Sequence, residues 1–236
     1  MIEVVILPGL DGTASMLQAF CGSLQARGVP ARAIGYPTQR PLDYAGLEPF
    51  VRAQLPKNSG FVLLGESFSG PLAIRIAAHP PAGLRGLVLS TTFARAPVPS
   101  LRALAGLTRF APTRLPMALL SWGLLGRWAQ PRIEASLHDA LGEVAPVVLR
   151  ARAAAALTVD VTPLLPRLHV PVFHLVATHD RLLAPAAARR LSAGLPHCRT
   201  EAVAGPHLLL QAAPEACADR VAAFALGLDA GVAITP

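Results

Sequence analysis

Short apolar stretches alternate with helical patterns along most of the chain. Four- to seven-residue apolar stretches predict strands, and the apolar residues between them recur at the three- to four-residue spacing of helices. This alternation is typical of a parallel sheet covered by helices on both faces, so we predict an α/β fold with a mostly parallel central sheet. The predicted strands are 2–7, 30–35, 61–64, 84–90, 171–177 and 199–203, and the predicted helices are about 13–27, 44–54, a helix containing 72–77, 186–193 and 208–226.

The alternation breaks between about residues 93 and 159. This segment contains short helical runs separated by prolines and offers no convincing strand. We therefore predict a core of residues 1–92 and 160–236 with a helical cap inserted at 93–159. The prolines are Pro97, Pro99, Pro112, Pro116, Pro131 and Pro146.

The most apolar stretch, Leu115–Leu125, lies inside this insertion. It is too short to cross a bilayer, which takes about 20 apolar residues. As a helix it is apolar nearly all round, since Leu119 and Trp122 lie opposite the other large side chains. Core packing is the favoured interpretation, and a lid lining an acyl pocket is the alternative. The candidate pocket residues are Phe93, Met117, Leu120 and Leu124.

Composition limits the class of protein. A chain of 236 residues with 53% hydrophobic and 15% charged residues can bury a large core and is not a disordered chain. Its length fits one α/β domain with an insertion, because such domains commonly reach roughly 200–250 residues.

The chain is basic, with a formal net charge of +7. Its arginines are scattered, Lys57 is the only lysine, and no dense basic run is interleaved with aromatic residues. A nucleic-acid surface is therefore not predicted. One interpretation is that the bias reflects coding composition alone; a second interpretation is that the positive field favours an anionic substrate or an acidic acyl carrier protein.

The cysteines and the N-terminus indicate a compartment. Three cysteines without paired spacing are typical of free thiols under reducing conditions, and they form no zinc signature. The first residues lack the basic, apolar and small-residue regions of a signal peptide. We expect a cytoplasmic protein without stable membrane insertion, metal or cofactor.

The junction after the third predicted strand carries the first chemical signal. Phe61–Leu64 runs into Gly65–Gly70, with a helical pattern behind it. Strand, abrupt turn and helix in that order hold a serine hydroxyl, here that of Ser67, clear of the sheet. The alternative is a buried strand that ends in an ordinary Gly/Ser turn.

A serine nucleophile needs a histidine to take its proton and a carboxylate to orient that histidine. Asp180 follows strand 171–177 by a short turn, at the sheet edge where catalytic groups gather. Helix capping or pairing with Arg181 are its alternative roles. The residues after strand 84–90, Ser90–Thr92, supply no competing carboxylate.

His207 is the candidate base. It lies between the last strand and the last helix, after a Gly205–Pro206 loop that can direct its imidazole towards Ser67. His179 is the serious competitor because it adjoins Asp180, although sequence neighbours rarely face each other. The remaining histidines are His79, His138, His169, His174 and His197.

An acyl-transfer site also needs backbone donors for the oxyanion, since losing one donor costs about a hundred- to a thousand-fold in rate. Phe68, the residue after the serine, can supply one N–H group. The loop after the first strand, 8–13, can supply the other, and Leu10 is the best candidate. The alternative for this loop is an ordinary glycine-rich turn.

The order Ser67, Asp180, His207 is that of the α/β-hydrolase template. The chain resembles the α/β-hydrolase superfamily over nearly its full length apart from the insertion, and in particular its small bacterial serine esterase and lipase-like members. The resemblance implies Ser67 as nucleophile, Asp180 as acid, His207 as base, Leu10 and Phe68 as oxyanion donors, and a cap at 93–159.

Two positions depart from the pattern of this superfamily. Ser69 replaces the last glycine of G-x-S-x-G, and the first loop is Pro8-Gly9 where His-Gly is usual. A small serine should not remove activity, whereas the packing of the oxyanion loop can differ. A serine at the nucleophile position also disfavours dehalogenase and epoxide hydrolase chemistry.

The expected activity is therefore hydrolysis of a small-molecule carboxylic ester with an apolar acyl or alcohol part. A thioesterase or acyltransferase acting on acyl-CoA or an acyl carrier is the alternative enzyme. A ligand-binding module with vestigial turnover is an alternative of another class.

Overall fold

In the computed structural model, the described residues are 2–97, 105–108, 110, 112–113, 115–195 and 198–230. The strands are β1 Glu3–Leu7, β2 Ala31–Ala33, β3 Phe61–Glu66, β4 Leu84–Ser90, β5 Val172–Ala177 and β6 Cys198–Val203. The α-helices are α1 Gln18–Gln25, α2 Tyr44–Arg52, α3 Gly70–Ala78, α4 Met117–Leu124, α5 Pro131–Gly142, α6 Pro146–Thr158, α7 Pro185–Ala193, α8 Leu209–Ala212 and α9 Pro214–Asp229.

The six strands form one parallel sheet in the order β2-β1-β3-β4-β5-β6. Leu7 pairs with Gly65, and Glu66 pairs with Ser90, so neighbouring strands end at one edge. The loops that follow β1, β3, β5 and β6 leave from this edge. The predicted α/β architecture with a mostly parallel sheet is confirmed.

Helices cover both faces of the sheet, as the continuous apolar strands predict. Every residue of β3 is buried. Leu63 points to the core that α2 and α3 cover, and Val62 points to the core under α1 and α9, because successive strand residues face opposite sides.

The predicted helix 208–226 is wrong in one respect, since it is two helices. α8 ends at Ala212 and α9 starts at Pro214, with Ala213 between them at a non-helical φ of −136° and ψ of 53°. Proline has no N–H to continue the ladder and disfavours the helical conformation of the residue before it. A proline inside the predicted range therefore marks the first turn of a new helix.

Helices α4, α5 and α6 lie between β4 and β5. An isolated antiparallel bridge and an ion pair, with 3.3 Å between Arg95 Nε and Asp160 Oδ2, join the chain entering this segment to the chain leaving it. The boundaries 93–159 stay a prediction, and Pro99 and His197 lie outside the described residues. Within the described part of the chain, none of the helices combines the length and apolarity needed to cross a bilayer.

Candidate active site

The turn at residues 65–70, which we call the elbow, holds Ser67 in an unusual backbone conformation. Ser67 has a φ of 47°, in the left-handed region that non-glycine residues seldom adopt. Close packing around it explains the small neighbours: a Cβ on Gly65 would lie 2.8 Å from Ala73 Cβ, and one on Gly70 would collide with the Thr92 side chain. The serine thus stands between β3 and α3, half-buried at the sheet edge.

The three predicted catalytic side chains come together at this edge. Ser67 Oγ lies 2.8 Å from His207 Nε2, and His207 Nδ1 lies 2.8 Å from Asp180 Oδ2. His207 is almost fully buried, and the Asp180 side chain is 10% exposed. A histidine that carries its proton on Nδ1 donates to Asp180 and presents a free lone pair to the serine hydroxyl.

Backbone groups fix the carboxylate. Asp180 Oδ1 accepts hydrogen bonds from the N–H groups of Leu182 and Leu183, both at 2.8 Å. The other oxygen is therefore left to His207. On the far side of the imidazole, the N–H of Leu208 donates to the carbonyl of Leu124 at 3.1 Å, which ties the histidine loop to α4.

The alternative partners lie elsewhere. His179 Nδ1 is 2.7 Å from Thr178 Oγ1, and its ring is 4.9 Å from the ring of Trp128. Arg181 donates to the carbonyl of Trp122 at 2.9 Å. Neither contact involves the Asp180 carboxylate.

Two side chains that the sequence did not single out hold the elbow. Thr92 Oγ1 donates to the carbonyl oxygen of Ser67. Tyr44 donates its hydroxyl to the carbonyl of Phe68 at 2.8 Å and stacks on that ring with centroids 4.8 Å apart. Thr92 thus restrains the peptide whose N–H group, that of Phe68, is a predicted oxyanion donor, and Tyr44 restrains the peptide that follows it.

Ser69 links the elbow to the first loop. Its fully buried hydroxyl donates to the carbonyl of Pro8, and the Tyr36 hydroxyl lies 2.5 Å from Ser69 Oγ. Because Ser69 donates its hydroxyl proton to the Pro8 carbonyl, Tyr36 is the donor in the bond between the two hydroxyls. A glycine at this position, as the usual motif has, could make neither contact.

Arg152 of α6 is hydrogen-bonded to the loop that carries Leu10. It is 1% exposed, and its guanidinium donates to the carbonyls of Leu10 at 3.1 Å, Pro37 at 3.0 Å and Asp11. Gly12, with a φ of 69°, packs so closely that any Cβ would strike the guanidinium. Burial lowers the pKa of Arg152. An arginine amid the apolar residues of α6 was the sequence signal that we missed.

Glu66, directly before the serine, is an almost fully buried carboxyl. Burial, reinforced by the nearby charge of Asp11, raises the pKa of Glu66 to about 8. Gln211 Nε2 donates to its Oε2 at 3.2 Å, and its Oε1 has no partner. At neutral pH this carboxyl is therefore mostly protonated, so it adds little negative charge beside Ser67.

The four candidate pocket residues do not share one cavity. Phe93 lines a cavity of about 400 Å³ against Leu191 of α7. Met117 and Leu120 line another, of about 710 Å³, whereas Leu124 packs in the cluster around Leu125 and Leu137. A third cavity, of about 580 Å³, lies beside Asp180 and Leu183. The described residues contain no group of three or more His, Cys, Asp or Glu side chains placed to hold a metal ion.

Known proteins resemble this chain at two levels. The family model "Serine aminopeptidase, S33" matches residues 43–209. Among solved structures, a hydrolase from Oleispira antarctica has a TM-score of 0.79 at 14% identity, covering 96% of this chain and 91% of that one. An esterase from Exiguobacterium antarcticum has a TM-score of 0.79 at 15% identity, covering 96% and 92%. The enol-lactonase from Burkholderia xenovorans LB400 has 0.75 at 19%, covering 94% and 90%.

At these identities the solved structures show the fold alone, and a search of curated protein sequences finds no match. The predicted α/β-hydrolase resemblance and the predicted hydrolase activity are confirmed. The family model covers well over half of the chain. The chain therefore belongs to the serine aminopeptidase S33 family, a family of α/β-hydrolases.

Proposed function

We propose that the protein hydrolyses a carboxylic ester through an acyl-enzyme formed on Ser67. The observation that carries this proposal is the unbroken chain of hydrogen bonds from Ser67 Oγ through the His207 imidazole to Asp180, with 2.8 Å at each step. A serine hydroxyl is a weak nucleophile near neutral pH, and this arrangement is the one that activates it.

The reaction uses each group in turn. His207 Nε2 takes the hydroxyl proton as Ser67 Oγ attacks the ester carbonyl, and Asp180 stabilises the imidazolium that forms. The imidazolium then protonates the leaving alcohol as the carbon–oxygen bond breaks. Water, deprotonated by His207, next attacks the acyl-enzyme and releases the acid.

The negative charge on the carbonyl oxygen is assigned to the backbone N–H groups of Leu10 and Phe68. Phe68 is the second residue of a short 3-10 turn, Ser67–Ser69, and the first N–H groups of a helix have no partner within it. The bonds from Arg152 to the Leu10 carbonyl and from Tyr44 to the Phe68 carbonyl support a pre-formed oxyanion site. Fixed donors need no reorganisation during reaction.

An ester with an apolar part is the proposed substrate. Two structural neighbours are an esterase and an enol-lactonase, and both names denote cleavage of ester bonds. The cavity beside Asp180 is lined in part by the apolar side chains of Val176, Leu183 and Ala188, together with polar ones such as Arg189. A small-molecule ester is therefore favoured over a peptide, although the family model takes its name from an aminopeptidase.

Replacing Ser67 by alanine tests the proposal. We expect turnover of a p-nitrophenyl acyl ester to fall by several orders of magnitude, in line with the roughly million-fold loss seen when such a nucleophile is removed. Intact-mass measurement should show a fluorophosphonate adduct on the wild type and none on Ser67→Ala. Unchanged turnover in the variant would reject the assignment. Amino-acid p-nitroanilides, assayed in parallel, distinguish an esterase from an aminopeptidase.

A thioesterase or acyltransferase acting on a carrier-bound acyl group is the second candidate. The net charge of +7 favours an acidic carrier protein. If this candidate is right, the KM for an acyl-carrier substrate should rise with added salt, because screening weakens long-range attraction, while the KM for an uncharged ester stays level. Equal salt response for both substrates would exclude the carrier.

A further inference from the structure

Helix α4 presents apolar side chains to solvent as well as to the protein. Its inner side contributes Met117, Leu120 and Leu124 to a cluster around Leu125. On its outer side, Leu119 is 52% exposed and Trp122 is 62% exposed. A helix that is apolar all round is normally buried all round, so among the described residues the outer side of α4 lacks the partner that its sequence predicts.

This outer side continues beyond the helix. Leu182, in the loop before α7, is 55% exposed. Arg181, next to Leu182, donates to the Trp122 carbonyl at 2.9 Å and holds its guanidinium 4.9 Å from the Trp122 ring. We call Leu119, Trp122 and Leu182, together with Arg127 and Arg181, the cap surface.

The charge of this region has a single sign. No aspartate or glutamate occurs between Glu66 and Glu134, whereas eight arginines do. Arg127 is exposed beside the Trp128 ring, 4.2 Å from its centroid. The cap surface therefore combines exposed leucines and a tryptophan with cations, and all of its residues except Arg181 and Leu182 lie in a stretch of sequence without acids.

We propose that the cap surface binds reversibly to an anionic lipid surface. Leucine and tryptophan side chains enter the boundary between headgroups and acyl chains, and arginines pair with anionic headgroups while their stems lie along the apolar layer. An eight-residue helix lying flat suits this shallow contact and does not span the bilayer.

The charge favours lipid over a second copy of this chain. A symmetric dimer through the cap surface would bring Arg127 and Arg181 of both copies together without acids from this stretch to neutralise them. An anionic lipid layer supplies negative charge and an apolar phase at once. Because Asp180 binds the N–H of Leu182, the docked face borders the loop that carries the proposed catalytic acid.

Vesicle binding tests the proposal independently of catalysis, using the full chain and its Ser67→Ala variant. Both proteins should co-sediment with phosphatidylcholine vesicles that contain phosphatidylglycerol and much less with phosphatidylcholine alone. Added salt should release them. In a Trp128→Phe background, the fluorescence of Trp122, then the only tryptophan, should shift to the blue on binding.

Matched variants locate the contact. Leu119→Ser and Trp122→Ser should each weaken partitioning by roughly tenfold or more, and Arg127→Gln by about fivefold. Leu226→Ser is the control, because Leu226 is also exposed, at 45%, but lies on α9. Thermal unfolding by circular dichroism checks that each variant is folded.

Three results would overturn the proposal. One is equal binding of Leu226→Ser and the cap variants, or no binding to anionic vesicles. A second is a solution dimer that Leu119→Ser and Trp122→Ser convert to monomer, because the cap surface would then bind its own copy. The third is a shift of Trp122 fluorescence with an acidic acyl carrier protein but not with vesicles.

Discussion

At the scale of single residues, the strained backbone conformation of Ser67 depends on the residues around it. A non-glycine residue at positive φ costs on the order of 1–3 kcal/mol and persists only where its surroundings enforce it. Thr92 and Tyr44 do so by donating hydrogen bonds to the carbonyls of Ser67 and Phe68. The strain raises the serine above the sheet edge, where its hydroxyl meets His207.

Asp180→Asn tests the proposed role of the acid. The amide can still accept from Leu182 and Leu183 through its oxygen, so the loop should keep its shape, but its NH₂ group then faces His207 Nδ1 and favours the wrong tautomer. We expect kcat to fall roughly 10⁴-fold with little change in Tm. Asp219→Asn, which alters a surface ion pair with Arg27, is the matched control and should leave kcat unchanged. A loss below tenfold in Asp180→Asn would contradict the assignment.

Ser69 offers a second test at this scale. Ser69→Ala removes the acceptor of the buried Tyr36 hydroxyl and the donor to Pro8, so the free energy of unfolding should fall by about 1–3 kcal/mol. Adding Tyr36→Phe removes the hydroxyl that Ser69→Ala leaves without an acceptor. The double variant should therefore lose less than the sum of the two single variants, as measured by urea unfolding, and strict additivity would show that the two hydroxyls are not coupled.

Sequence reasoning reached the proposed catalytic residues but not the side chains that hold them. Ser67, Asp180 and His207 each follow a strand, and parallel strands end at one edge, so their meeting could be predicted. Thr92 and Tyr36 also follow strands, but a hydroxyl at a strand end does not indicate which atom it binds. Arg152, in α6, has no such positional signal. The contact of Arg152 with Leu10 joins residues 142 positions apart and depends on how the cap packs on the core.

At the scale of elements, α6 of the cap is connected to the first loop of the core. Arg152 is the connection, since its guanidinium binds the backbone carbonyls of Leu10 and Asp11 and also that of Pro37. The position of the cap helix and the shape of the proposed oxyanion site are thus coupled.

Arg152→Met tests this coupling. Losing the guanidinium frees the loop, so we expect kcat to fall by roughly ten- to a hundredfold while KM for a short acyl ester changes little, because only transition-state stabilisation is lost. A trifluoromethyl ketone, whose hemiketal oxygen mimics the oxyanion, should lose affinity by a similar factor. Arg152→Lys keeps the positive charge but cannot bind several carbonyls at once as the planar guanidinium does. It should therefore recover only part of the rate.

A merely structural role would give a different pattern. In that case Arg152→Met would lower Tm and leave kcat per folded molecule, titrated with fluorophosphonate, at the wild-type value. Equal effects on kcat and on inhibitor affinity, with most of the protein folded, identify Arg152 as a positioning residue.

Element boundaries could be predicted where local chemistry decides them. Strand β4 has the predicted bounds, 84–90, because an apolar run there ends in polar residues. The break at Pro214 was missed because the apolar spacing continues across it from α8 to α9. Likewise, the apolar pattern of α4 predicts burial on all sides, and only the packing of the cap shows which side is exposed.

At the scale of the whole molecule, two buried groups give stability opposite dependences on pH. Burial raises the pKa of Glu66 from 4.5 to about 8, with the charge of Asp11 adding to this, so the folded state holds a proton that the unfolded state loses. Burial lowers the pKa of His174 from 6.5 to about 4, so the unfolded state binds a proton that the folded state does not. Rising pH therefore destabilises through Glu66 and stabilises through His174.

Between about pH 4.5 and 6.5 the two groups change the free energy of unfolding by about 1.4 kcal/mol per pH unit each. The two changes have opposite signs and cancel. Between about pH 6.5 and 8 only Glu66 acts, so the free energy of unfolding should fall by about 2 kcal/mol over that interval. In Glu66→Gln this fall should disappear, and stability should instead rise from pH 4.5 to 6.5 because His174 is then unopposed. Urea unfolding at pH 5, 6.5 and 8 gives the difference between the free energies of unfolding of the two proteins, in which the titration of groups that do not interact with Glu66 cancels. A difference between them that stays constant from pH 5 to 8 would show that Glu66 ionises normally in the fold, and with it that the carboxyl beside Ser67 is charged at neutral pH.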